Sequence, residues 1–267
     1  MSLEIGVLMP EVLGTYGDSG NAVVLAARAR KRGIEAQIVE VSIADPIPQT
    51  LDIYTIGGGE DAAQHIAAHK LATDPGLANA VAAGKPVLAI CAALQVLGHW
   101  YTDAAGAKIA GAGLIDAITV PGGSRAIGEL RAEPGPDLAA GGATQTLYGF
   151  ENHGGMTALG PDAAPLSFVT AGVGNWADSS ALEQLPDGYC TQISGKKLDG
   201  IVQGGIFCSY MHGPVLARNP QLTDLILARA LGTELSELAP LEITAIAELR
   251  AQRETAINEQ LAQAAAN

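Results

Sequence analysis

The sequence predicts an α/β fold in which a mostly parallel central sheet is covered by helices on both faces and extended by antiparallel strands. Three observations lead there. Over the first 120 residues, short β-branched runs alternate with alanine-rich helical stretches, the rhythm of βαβ units around a parallel sheet. From Leu114 to Tyr210 helical patterns are scarce, and Gly, Pro and short β-rich runs dominate, which is the texture of antiparallel strands. The chain has 267 residues, 48% hydrophobic and 16% charged, so it buries a sizeable core without disulfide or metal staples.

Taken in order, Ile5, Val7 and Leu8 place a first strand over Glu4 to Met9, followed by a helix over Asn21 to Arg32. A second strand is expected over Ala36 to Val41 and a third over Ile53 to Ile56, with a helix over Asp61 to Ala72. Pro86 to Ile90 reads as a buried strand running straight into a helix over Ala92 to Trp100. Pro134 to Ala143 is a Gly/Pro/Ala-rich surface loop, and no linker separates the two halves. The tail from Leu241 carries Ile243, Ile246, Leu249, Ile257 and Leu261 at roughly helical spacing. It forms a helix that either covers its own domain or docks a partner. The expected division is therefore a domain over 1–235 and a helical extension over 236–267.

Fifteen Lys and Arg against 28 Asp and Glu give a net charge of -13, which repels phosphate backbones and argues against nucleic acid as a partner. Mean hydropathy is positive, +0.22, yet every apolar run stops well short of the ~20 residues that span a bilayer, so no transmembrane segment is expected. Met1 to Pro10 has neither a basic start nor a small-residue cleavage site, and the chain reads as unprocessed and cytoplasmic. Cys91, Cys190 and Cys208 lack CxxC spacing, which suggests reduced thiols and no metal site.

Cys91 falls on the corner between the buried strand and its helix, where open α/β sheets place their ligands and where helix N–H groups favour the thiolate. Small neighbours suit so sharp a turn, and Ala89, Ala92 and Ala93 are all small. The rival reading is a buried core cysteine. Gly57, Gly58 and Gly59 directly follow the third strand and let backbone amides turn toward a ligand, an oxyanion hole shared with the amide of Ala92. A tight turn is the alternative. A phosphate loop is disfavoured, because no GKS or GKT follows and Glu60 and Asp61 would repel phosphate. Among five histidines, His212 lies just beyond a strand and is the best base for a thiol nucleophile. His65 and His69 read as a solvated helix face, and His99 as a helix end.

Five motifs then stand together: Tyr16-Gly-Asp-Ser-Gly-Asn21, Gly57-Gly-Gly-Glu-Asp61, Cys91 with Gln95, Gly149-Phe-Glu-Asn-His-Gly-Gly155, and His212-Gly-Pro-Val-Leu-Ala-Arg-Asn-Pro220. In them the sequence resembles the class I glutamine amidotransferases of the cobyric-acid-synthase type, and more narrowly the glutaminase subunits of lipid II isoglutaminyl synthases. The resemblance implies a flavodoxin-like fold, with Cys91 as the nucleophile that takes the amide carbon of L-glutamine as a thioester. His212 would be the base and then the acid, and the amides of Gly58 and Ala92 the oxyanion hole. Arg125 would hold the glutamine carboxylate by paired hydrogen bonds. Gln95 would support the glutamine pocket or pack on its own helix, and Asn152 and His153 would shape the site, or His153 would be structural. The chain would carry no cofactor. ATP would bind only to a separate Mur-ligase-like synthetase of the MurT type, which forms a heterodimer with this chain and amidates D-glutamate of lipid II at the inner membrane face.

Three positions depart from the family pattern. Ala89 and Ala93 replace the two glycines usual around the nucleophile, and a corner that held either at positive φ would be strained. Pro214 stands where many members place a Glu to orient the histidine, and the resemblance implies that the synthetase supplies the missing acid. Alternative functions are a glutaminase serving another synthetase, as in cobalamin amidation, a non-catalytic binding subunit with a decayed site, and a cysteine hydrolase of similar architecture.

Overall fold

The computed structural model describes residues 2–176 and 185–266. A six-stranded sheet forms the centre, built from β1 (Ser2–Leu8), β2 (Glu35–Val41), β3 (Ile53–Ile56), β4 (Val87–Ile90), β12 (Ile201–Gln203) and β13 (Ile206–Ser209). Its order is β12-β13-β4-β3-β1-β2, and every neighbouring pair is parallel except β12 with β13. All four residues of β4 are buried, as a continuous apolar run in a sheet covered on both faces must be. The helices are α1 (Gly20–Lys31), α2 (Asp61–Thr73), α3 (Gly76–Ala82) and α4 (Ala92–Leu97). β1 pairs with β2 on one side and β3 on the other, so the connections leave β1 and β3 in opposite directions and open a crevice at their carboxyl ends.

The remaining strands do not extend this sheet, as the sequence suggested, but form a second one. β7 (Ala117–Pro134) and β8 (Leu147–Leu159) are long antiparallel partners that satisfy one another's backbone groups and found a sheet of their own. Around them lie β5 (Trp100–Thr102), β6 (Lys108–Ala110), β9 (Ser167–Ala171), β10 (Gln192–Ile193), β11 (Lys196–Asp199) and β14 (Met211–His212). The chain crosses between sheets at Tyr210. Ser209 ends β13 in the first sheet, and Met211 and His212 pair with Glu151 and Phe150 of β8 in the second.

Two further expectations change, and a third is met with fewer buried apolar contacts than its spacing suggested. Helix α4 ends at Leu97 and not at Trp100, because the chain must pass so close to β7 that a methyl on Gly98 would fall 2.6 Å from the Ala117 carbonyl oxygen. The expected loop over 134–143 contains a short helix, α5 (Pro136–Ala140), opened by a proline at its first position, where no amide is needed. The tail forms α8 (Thr244–Ala266), after α6 (Val215–Arg218) and α7 (Pro220–Leu231). Of its five apolar residues only Ile257 is buried, beside Tyr148 and Ala171, and Leu261 is exposed. Polar contacts hold it instead: Arg131 to Glu254 at 2.9 Å, Arg253 to Glu129 at 3.2 Å, and Arg250, which donates to the Thr146 and Arg218 carbonyls. No helix among the described residues is long and apolar enough to cross a membrane.

A buried ion pair pins α1 to α7. Arg28 Nε and Nη2 each donate to the Asp224 carboxylate at 2.7 Å, and Arg32 adds a third bond at 2.7 Å. Removing the acid strands a buried guanidinium, the costly way to break such a pair. Asp224→Ala is expected to lose about 3–5 kcal/mol of stability, read as a lower urea midpoint at unchanged slope.

Candidate active site

Four segments meet at the carboxyl ends of β1, β3, β4 and β13: the loop carrying Asp18, the glycines after β3, Cys91, and the crossover that delivers His212. Cys91 sits at the corner with φ 53° and ψ -107°, a conformation that costs a non-glycine residue about 1–3 kcal/mol. Neighbouring backbone fixes it there, since the Cys91 amide donates to the Ser209 carbonyl at 2.9 Å and its carbonyl accepts from Gln95 at 3.2 Å. Ala89 and Ala93 are fully buried, and neither has positive φ. The strain lies on the cysteine, so the two alanines fit where the family has glycine.

His212 is buried, with Nδ1 3.0 Å from Asp18 Oδ2 and 3.3 Å from Oδ1. A carboxylate only accepts, so Nδ1 carries the proton and Nε2 faces away from Asp18. Nε2 is buried and has no hydrogen-bond partner among the described residues. Cys91 shares its surroundings: a methyl on Gly58 would fall 2.8 Å from His212 Cε1, 3.3 Å from Asp18 Oδ2 and 3.4 Å from Cys91 Cβ. Only glycine leaves room for the three side chains to converge. Burial works against the imidazolium, but the Asp18 hydrogen bond and the adjacent Cys91 outweigh it and raise the His212 pKa to about 9.

Asp18 bears on two expectations. Whatever a partner subunit supplies, this chain has an acid of its own in contact with His212, 194 residues before it. Pro214, at the position of the missing Glu, instead abuts Gly20 at the start of α1. The Gly58 amide, expected to face an oxyanion, donates to Asp18 Oδ2 at 2.9 Å and is committed there. The amides of Gly59 and Ala92 donate to no acceptor among the described residues and lie on the two loops that flank Cys91. Asp18 was visible only as a member of the Tyr16 to Asn21 motif. Its signal was an acid in the glycine-containing loop after the first strand, at the same sheet edge as Cys91.

A cleft of about 480 Å³ opens over Cys91 and is lined by Tyr16, Glu60, Gln95, Arg125, Asn152 and His153, among others. Arg125 is exposed on an irregular stretch of β7 between Pro121 and Ala126, and its Nε donates to Asn152 Oδ1 at 2.8 Å. Gln95 is buried, and its Nε2 donates to the Tyr210 hydroxyl at 3.2 Å, which continues to Thr157 at 2.7 Å. His153 stacks on the Tyr210 ring at 3.7 Å and is bonded to the Gly155 carbonyl, so it belongs to the floor of the cleft. Of the other histidines, His65 is half exposed beside Asp103 and His99 beside Asp116, and neither lines the cleft. Other motif residues are struts: Asn21 accepts from the Leu216 amide, and Asn219 bonds both backbone groups of Tyr148.

A thiol on a strained corner, an imidazole with one nitrogen pinned by a carboxylate, and free amides nearby form a set suited to acyl transfer. Residues 4–220 match the CobB/CobQ-like glutamine amidotransferase domain. The chain is 32% identical over 253 residues to the lipid II isoglutaminyl synthase (glutamine-hydrolyzing) subunit GatD of Staphylococcus aureus (strain N315), covering 94% of this chain and 93% of that protein. It is 34% identical to the subunit of the same name from Streptococcus pneumoniae (strain ATCC BAA-255 / R6), covering 86% of this chain and 80% of that one. The crystal structure of a glutamine amidotransferase shares the fold, with a TM-score of 0.53 at 16% identity over 85% of this chain and 98% of the other. The chain therefore belongs to the CobB/CobQ-like glutamine amidotransferase family.

Proposed function

We propose that this chain is the glutaminase subunit of a lipid II isoglutaminyl synthase, hydrolysing L-glutamine and passing ammonia to a Mur-ligase-like synthetase of the MurT type. The names of the two GatD relatives support the assignment. The observation that carries the chemistry is the convergence of Cys91, His212 and Asp18 around Gly58. The Cys91 thiolate attacks the amide carbon of glutamine, and the developing oxyanion is met by the amides of Gly59 and Ala92. His212, protonated at Nε2, gives that proton to the leaving nitrogen, and ammonia departs as the C–N bond breaks, leaving a thioester on Cys91. The now neutral Nε2 takes a proton from water, whose oxygen attacks the thioester and releases glutamate and the thiolate. Asp18 holds the ring and stabilises the imidazolium throughout. Arg125 receives the α-carboxylate of glutamine, and Gln95 shapes the pocket. Residues 1–235 form the catalytic unit and 236–267 a helical extension.

The synthetase binds ATP and activates the α-carboxylate of D-glutamate in the lipid II stem peptide at the inner face of the membrane, and this chain supplies the nitrogen. The test is reconstitution of the chain with such a synthetase, ATP, lipid II and glutamine labelled with ¹⁵N in its side chain. The label is expected in the stem-peptide amide, with ammonia release faster in the complex than from the chain alone. Ammonia release without label transfer, in a complex that amidates lipid II from free ammonia, would sink the assignment to this synthetase.

A further inference from the structure

Tyr16 is a residue of the cleft that the chemistry above leaves unused. It lies two residues before Asp18 in the same loop, and its ring centroid is 4.7 Å from that of His212 at an interplanar angle of 50°. Its hydroxyl donates to Glu60 Oε1 at 3.1 Å. Glu60 is the residue just before the first turn of α2, in the loop after β3, so this bond ties the loop after β1 to the loop after β3 beside Cys91. The imidazole is thus held from two directions, by Asp18 on Nδ1 and by the Tyr16 ring packed beside it, and the lack of a side chain at Gly58 leaves room for Cε1. Nε2 is the one ring nitrogen left free. Burial and the bond to Glu60 raise the Tyr16 pKa above its usual value, so the phenol keeps its proton and stays a donor.

We propose that Tyr16 is a positioning residue which, latched to Glu60, packs against His212 to keep Nε2 directed at Cys91 and closes the cleft around bound glutamine. The proposal rests on the glutaminase reading above. It separates into two contributions. The ring steadies the imidazole, and its loss is felt in kcat. The hydroxyl joins the two loops, and its loss is felt in KM, by no more than one exposed hydrogen bond can supply.

The experiment compares Tyr16→Phe, Tyr16→Ala, Glu60→Ala and the double variant Tyr16→Phe with Glu60→Ala, by ammonia-release kinetics and by the rate at which iodoacetamide alkylates Cys91. Tyr16→Phe and Glu60→Ala are each expected to raise KM and the alkylation rate about three- to tenfold, and the double variant no further, because one bond is lost in all three. Tyr16→Ala is expected to lower kcat about tenfold as well, and Tyr16→Phe to recover most of that loss. Additive effects of the two single changes, or a Phe variant as slow in kcat as the Ala variant, would overturn the proposal. If wild type releases no ammonia while the alkylation pattern holds, the latch stands and the glutaminase reading falls. If ammonia is released and all variants alkylate at the wild-type rate, the latch falls alone.

Discussion

Cys91→Ala is expected to abolish ammonia release from glutamine, a fall of at least about 10⁴-fold, while the protein stays folded. No other thiol can stand in. Cys208 is fully buried in β13, and burial pushes its thiol far up, out of the nucleophilic range. Cys190 is partly buried, has its thiol raised for the same reason, and does not line the cleft. Alanine at position 91 is held at the same positive φ as cysteine, so the backbone strain is unchanged, and only a sulfur atom leaves the core. Ammonia release measured beside a urea melt separates lost chemistry from lost fold. A folded Cys91→Ala variant that still hydrolyses glutamine at a substantial rate would remove the thioester from the mechanism.

The parts of the site that the sequence reveals are those set by local order. A buried run ending in Cys91 and flanked by alanines announces a strand-to-helix corner, and β4 and α4 meet there. Three glycines after a strand announce a backbone that must come close to something, and Gly58 packs against both His212 and Cys91. What the sequence hides is set by topology. Pro214 stands at the usual place for an acid two residues after His212, and the carboxylate that does contact the ring arrives from the loop after β1, because β13, β4, β3 and β1 lie side by side with their carboxyl ends together. Amide direction is hidden for the same reason, since nothing local says that Gly58 turns its N–H to Asp18. The second sheet is a pairing choice between distant strands, and the mode by which α8 docks depends on charges whose partners, Glu129 and Arg131, lie more than 100 residues away. In each case local propensity names the element, and long-range pairing decides its neighbour.

Asp18→Asn tests the least legible residue of the site, and it is expected to lower kcat for glutamine hydrolysis by about 10²–10³-fold. The amide is nearly isosteric, but it has one accepting oxygen where Asp18 offers two, and it carries no charge to set against the imidazolium. Asp18 Oδ2 alone serves both His212 Nδ1 and the Gly58 amide, so the variant must also turn an NH₂ group toward one of two donors or share its single oxygen between them. The pH dependence fixes the cause. In the wild type His212 keeps its proton up to about 9, so the rate is expected to fall along an alkaline limb near that pH, where the acid for the leaving nitrogen is lost. Replacing the carboxylate weakens the Asp18 hydrogen bond, the largest of the influences that raise this pKa, and removes the smaller contribution of its charge, so the limb moves to lower pH. Stability follows the same sign. A histidine whose pKa rises from 6.5 to about 9 on folding contributes stability in full below pH 6.5 and loses it as pH climbs through 9. The urea midpoint of wild type should therefore exceed that of Asp18→Asn most clearly near pH 6, with the gap narrowing toward pH 9 and above. A variant with an unmoved alkaline limb and a gap that does not change with pH would show that Asp18 merely packs beside His212 and that the orienting carboxylate comes from elsewhere.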